Sequence, residues 1–456
     1  MNSLKPHTFF KSTSPSILSL SSRKRVASPA PESTDSQSVH LRLNEAVSKA
    51  ISQLALIHTS TDVPSLKRPL PSGRGTTLGT VIDSELRAVA HSPNLYRAVV
   101  RSLHRPMSVL LSNMAASLIP LLSSPSFVVL PTVQAPNPSA AQHKALSLAL
   151  FARELLDALN DLPQIVDAFD TRIDALKSVR EALTSIITRV VTPLVGAAHA
   201  QIDQFIAALD SENTASAALA SLHSMMPIYA PTIALYTSPS PTALATFLIS
   251  VYWRSIVVLS HRQYIPPPPS KKRPGTNLPS TLPASRFSLK LPSSRHSSPP
   301  PPCRSTLLAD ATAIGDLLAA FPRPSLSRQG SQLAQDAVNE ATEGLRGFAR
   351  ILSAFESVGC NRDRLVALDL VSLTEGIPSL IALELLVQMC NVGRCRRVTV
   401  ADLLGIPIEE YRKGCLSSFG RADDCAATIF SRLGRVDFEW DILASWIRTQ
   451  IGDGSI

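Results

Sequence analysis

Apolar positions along this chain return every third or fourth residue, the period of a helix with one buried face. Leu43, Val47, Ala50, Leu54 and Ile57 set that rhythm from His40 onward. Ser92-Pro93, Asn137-Pro138 and Ser240-Pro241 each read as an N-cap followed by proline at the first helical position, where the missing N–H costs no hydrogen bond. The longest face starts near Pro163. It runs through Val166, Phe169, Ile173, Leu176, Leu183, Ile187, Val190, Leu194 and Ala197, with Arg180 as its one polar position and a kink expected at Pro193. So short a seam, broken by an arginine, predicts a bundle core rather than a dimerising coiled coil. Later, Leu333, Ala337, Ala341, Leu345, Phe348, Leu352 and Phe355 form a second face, with Ser331 placed to cap it and Gly359 to end it. Pro378 opens a helix over Ser379 to Val392, closed by Gly393. No alternating run of strand length stands out. The pattern predicts an all-α protein.

Two stretches lack the period. Residues 1–37 are Ser-rich, with Pro6, Pro15 and Pro29 set against any helix. Residues 265–305 are rich in Pro, Ser and Arg and hold two tetraproline runs, which favour extended polyproline II. A structureless stretch of that length is too long for a loop inside a compact unit and predicts a linker. The expected organisation is a disordered basic tail (1–37), a helical domain (38–264), a disordered Pro-rich basic linker (265–305) and a second helical domain (306–456). Met107 to Gln142 carries no charge, and Thr242 to Leu259 is apolar apart from Arg254. Prolines at 120, 125 and 131 shorten the first, and Arg254 would sit near mid-membrane in the second, so both are expected in a bundle and no transmembrane segment is predicted.

Charge changes this picture only in its distribution. The net +9 suggests a nucleic-acid or anionic-membrane partner. Residues 1–31 carry +5 and residues 213–309 carry +9, both without a single acid, while 32–212 and 310–456 are slightly negative. Nucleic acid is therefore expected at basic arms, not at a folded groove. Arg23, Lys24 and Arg25, like Lys271, Lys272 and Arg273, resemble short nuclear-import signals. The acid-free start also fits a mitochondrial transit peptide, and no secretory signal is evident.

The chemistry-bearing residues point away from catalysis. There is no phosphate-cradling Gly-Lys-Ser/Thr loop, no His-Glu-x-x-His and no nucleophile elbow. Gly73-Arg74-Gly75 with Gly79 imitates a dinucleotide loop, yet it follows no strand. Arg97 to His104 and Arg254 to His261 share an Arg-x6-His spacing that resembles the signature of HEPN ribonucleases. The Arg and His content of the chain produces that spacing by chance. Cys360, Cys390, Cys395, Cys415 and Cys425 lack Cys-x-x-Cys pairing, so free thiols are expected rather than a metal site. No cofactor is expected.

Linear motifs are more specific. Pro266, Pro269 and Lys271, and again Pro299, Pro302 and Arg304, fit Pro-x-x-Pro-x-basic and resemble ligands of SH3-like domains, whose aromatic grooves take a preformed polyproline helix. Ser28 and Ser298 each follow an arginine by three and precede proline, which suits a proline-directed or basophilic kinase. Residues 397–416 resemble a helix-turn-helix, with Thr399 as cap and Gly405-Ile406-Pro407 as the turn. Placed after helices, such a unit also looks like the winged-helix end of PCI-type scaffold subunits. The leading expectation is a non-enzymatic intracellular scaffold or adaptor, cytoplasmic or nuclear, acting through helical surfaces and linear motifs in a phosphorylatable linker. The alternative is a nuclear regulatory subunit that contacts nucleic acid through the basic arms and the helix-turn-helix-like segment. A mitochondrial helical protein with a cleaved leader is the third.

Overall fold

A computed structural model describes residues 32–55, 71–162, 176–263, 306–324, 329–358, 368–391, 398–435 and 441–451. Among them are fifteen α-helices, one 3-10 turn and no strand, so the protein is all-α. The first seven helices are α1 (Glu32–Ala55), α2 (Arg74–Ala88), α3 (Pro93–Leu122), α4 (Ala140–Asn160), α5 (Lys177–Ala207), α6 (Glu212–Thr237) and α7 (Pro241–His261). The remainder are α8 (Leu307–Ala319), α9 (Gln329–Val358), α10 (Leu370–Thr374), α11 (Ser379–Cys390), α12 (Val400–Leu404), α13 (Ile408–Cys415), α14 (Phe419–Leu433) and α15 (Asp441–Ile451).

α1 lies on α3, and α2 on α4. Next, α4 and α3 cover α5, and α5 packs on α6 and α7. α7 is apolar on nearly every side. Phe247, Val251, Tyr252, Trp253, Ile256 and Leu259 are all buried, as a helix apolar all round requires. It meets α9, α8 and α11 from beyond residue 305, and one continuous core joins Val39 to Ile447. α5 and α7 are long and apolar enough to cross a bilayer, and two-thirds of the most apolar window of α7 is buried against the protein's own helices.

Local chemistry sets the ends. Ser92 with Pro93 and Ser240 with Pro241 start α3 and α7, and Ser240 Oγ accepts from the Ala243 amide. Asn137-Pro138 does not start α4. Ser139 does, in a capping box with Gln142, because two hydrogen-bonding side chains satisfy more orphan amides than one. α1 begins at Glu32, ahead of the apolar face. α3 runs through Pro106 and Pro120, and α5 through Pro193. Arg180, the polar interruption, donates from Nη2 to the Leu159 carbonyl at 2.7 Å, closing the C-terminal end of α4. α9 starts at Gln329, so Ser331 is inside its first turn, and Leu333 is 76% exposed. Ala341 is the first fully buried residue of that face, since periodicity marks the apolar side of a helix but not where its neighbour stops.

The Gly73–Gly79 motif is a helix crossing. A Cβ on Gly79 would sit 2.2 Å from Ala158 Cβ, and one on Gly75 would sit 2.4 Å from the Phe151 carbonyl. Glu154 accepts from the Gly73 amide at 2.7 Å and the Gly75 amide at 2.9 Å. Its carboxylate thus occupies the N-terminus of α2, where a phosphate would otherwise be drawn.

Candidate functional site

Two places gather unusual chemistry. The first is a cleft of about 480 Å³ where α5 and α7 meet α13, lined by Asp203, Asp210, Trp253, Arg254, His261 and Arg412 among others. Trp253 Nε1–H donates to the Leu416 carbonyl at 2.9 Å, and its ring lies 4.4 Å from that of Phe419. Gln388 of α11 donates to the Ser260 carbonyl, and Arg412 pairs with Asp210 at 3.4 Å.

Here His261 and Glu384 are held neutral, and Arg412 is paired with Asp210. His261 Nδ1 lies 2.6 Å from the Val257 carbonyl, which can only accept, so the ring proton sits on Nδ1 and Nε2 is a buried acceptor without a protein partner. Burial, with the Arg412 guanidinium adding to it, lowers the His261 pKa to about 4. Glu384 is buried beneath. Desolvation raises its carboxyl to about 8, against the opposing pull of Arg412 and Tyr411, so at neutral pH it is mainly the acid. The Tyr411 phenol is buried against it and raised as well, without closing a hydrogen bond of normal geometry. With Nε2 unpartnered, His261 forms no nucleophile–base pair.

The second place is the turn between α3 and α4. Gln142 has no exposed surface. Its Nε2 donates to the carbonyls of Phe127 at 2.7 Å and Val129 at 2.8 Å, and its Oε1 accepts from the Ser139 amide at 2.7 Å. Thr132 and Ala135 exchange two backbone hydrogen bonds at the tip. Phe127 and Pro131 anchor inward. So fixed, the turn holds Val128 48%, Val129 61% and Val133 62% exposed. Behind it lies a groove of about 610 Å³ against α5 and α6, whose apolar wall is Phe205, Met225, Tyr229 and Leu130 and whose lining includes no charged side chain.

The sequence-predicted sites fall unevenly. Pro266, Pro269, Lys271, Pro299, Pro302, Arg304, Ser28, Ser298, Arg23, Lys24, Arg25, Lys272 and Arg273 all lie outside the described residues. From Thr399 on, the helix-turn-helix-like segment consists of the short helices α12 and α13. Thr399 and Asp402 make a capping box, Gly405 takes φ 68°, and α13 follows Pro407. Tyr411 and Arg412 of its second helix face Glu384 and Asp210 within the protein. The chain then continues into α14 and α15, with no strand among the described residues to form a wing. Arg254 and His261 line the cleft, whereas His104 faces Ser178 at the opposite end of α5, roughly 35 Å away by helical rise. No group of three or more His, Cys, Asp or Glu is placed to hold a metal ion among the described residues. No family model, curated protein or solved structure matches the chain.

Proposed function

We propose that this chain is a non-enzymatic helical scaffold that docks a protein partner on the α3–α4 turn and the groove behind it. One observation carries the reading: aliphatic side chains held exposed in a turn that a buried glutamine keeps in order. Apolar groups in a loose loop can fold inward, but here the capping box and the two Gln142 hydrogen bonds to the Phe127 and Val129 carbonyls fix them outward. Clustered exposed aliphatics beside a groove mark an interaction surface. The uncharged lining selects a partner that enters with apolar groups, as an amphipathic helix does, so affinity should vary little with salt.

Proximity labelling with the wild-type chain and with Val129→Asp/Val133→Asp tests this. Both substitutions sit at exposed positions, so thermal stability should stay within about 0.5 kcal/mol of wild type. The expected result is loss of a defined partner set whose purified member binds the wild type equally at low and high salt. An unchanged partner set, with unchanged self-association, would overturn the proposal.

A further inference from the structure

We propose that Cys415 and Cys425 are an oxidation site, a thiol pair that a small-molecule disulfide converts into an intramolecular disulfide between α13 and α14. Cys415 is the last residue of α13 and Cys425 lies in the second turn of α14, across the short corner Leu416–Ser418. Cys425 Sγ is 3.8 Å from the carbonyl of Gly414, the residue before Cys415, so its sulfur lies against the end of α13. Arg421 Nε donates to the same Gly414 carbonyl at 2.8 Å, fixing the first turn of α14 against the end of α13. Both thiols are partly exposed and free, so a reagent can reach them. Cys390, at the end of α11, is the other described free thiol.

The order of attack follows from their surroundings. Burial, reinforced by the Cys425 thiol, pushes Cys415 upward, with Arg421 opposing, so Cys415 is the weaker first nucleophile. Cys425 attacks one sulfur of oxidised glutathione, its thiol proton passing to solvent as the new S–S bond forms. One glutathione leaves as thiolate, and a mixed disulfide remains on Cys425. Cys415 then gives up its proton as it attacks the Cys425 sulfur, and the second glutathione leaves. Two thiols and one glutathione disulfide become one protein disulfide and two reduced glutathiones. Proximity makes the second step the faster one. The linked corner is the one that docks on α7, because Leu416 accepts the Trp253 N–H and the Phe419 ring packs tilted against the indole.

The test treats the full native chain with oxidised glutathione, alkylates the remaining thiols and maps peptides without reduction. The expected product joins Cys415 to Cys425, lacks two hydrogens and returns to two thiols on reduction. Amide exchange across residues 408–433 should then slow in the oxidised chain. The Cys415→Ser variant should instead accumulate glutathione on Cys425, since nothing resolves it. Stable glutathione adducts on both wild-type cysteines, preferential links to any other cysteine, or a pairing seen only in denaturant would each overturn the assignment. The wild-type mapping needs no substitution, so it decides the matter even where the variant misfolds.

Discussion

Glu384 and His261 sit one helix apart at the same junction, and their titrations pull stability in opposite directions. Glu384 has its folded pKa raised from 4.5 to about 8, so its contribution is greatest below pH 4.5 and is lost as pH rises towards 8. His261 has its folded pKa lowered from 6.5 to about 4. Its contribution is therefore present above pH 6.5 and is lost as pH falls towards 4. Between about pH 4.5 and 6.5 the two slopes oppose each other and nearly cancel. From pH 6.5 to 8 only Glu384 acts, and unfolding free energy should fall by roughly 2 kcal/mol at about 1.4 kcal/mol per unit. Urea unfolding across pH 5 to 9 checks this, with Glu384→Gln expected to remove the alkaline fall and expose the acid arm of His261. A wild-type profile that rises from pH 6.5 to 8 would show that Glu384 is ionised in the fold.

At the scale of the helix, two glycines distinguish packing from propensity. Alanine is favoured over glycine inside a helix by about 1 kcal/mol. Gly196 in α5 has nothing near its missing Cβ, so Gly196→Ala should stabilise by about that amount. Gly79 in α2 crosses α4 with Ala158 at 2.2 Å from the missing Cβ, and such overpacking costs about 1–3 kcal/mol. Gly79→Ala should therefore be neutral to destabilising, by up to about 2 kcal/mol, and in every case less stable than Gly196→Ala. Thermal unfolding of the two single variants decides it, and the reverse order would refute the crossing. The same pair shows what the sequence made legible. The helical faces of α1, α5 and α9, the caps at Ser240 and Thr399 and the Ser92-Pro93 start of α3 follow from local rules, because their cause lies within a few residues. The glycine crossing, the Leu159 partner of Arg180 and the burial of Glu384 depend on which helix lies opposite, and nothing nearby in sequence says so. Gln142 lies between these cases. Ser139-x-x-Gln142 is a capping-box pattern visible in the chain, but the proline-led pair at Asn137 masked it, and its grip on the Phe127 and Val129 carbonyls is tertiary.

At the scale of the whole molecule, the helices on either side of residues 264–305 share a core, and polar contacts tie them as well. Arg262 pairs with Asp310 where both side chains are buried, Trp253 donates to Leu416, and Gln388 donates to Ser260. A buried ion pair is a costly arrangement to break, since removing one partner strands the other charge at about 3–5 kcal/mol. The apolar surface of α7 adds a stronger constraint: if the C-terminal helices left, Trp253 and Ile256 would lose the cover of Phe419 and α9, each at about 1.5–3 kcal/mol. Composition divides this chain into two helical stretches, but those contacts predict that it behaves as one folding unit. A specific protease site placed within residues 264–305 and cut in the folded protein should therefore leave both fragments travelling together on size exclusion. Their joint unfolding should be a single transition. Asp310→Ala or Trp253→Ala in the cut protein should lower the denaturant concentration at which the fragments part, while Val129→Asp, exposed on the α3–α4 turn, should leave it unchanged. Separation of the wild-type fragments under native conditions would mean that the shared core is too weak to hold them, and that α7 buries its apolar face by other means.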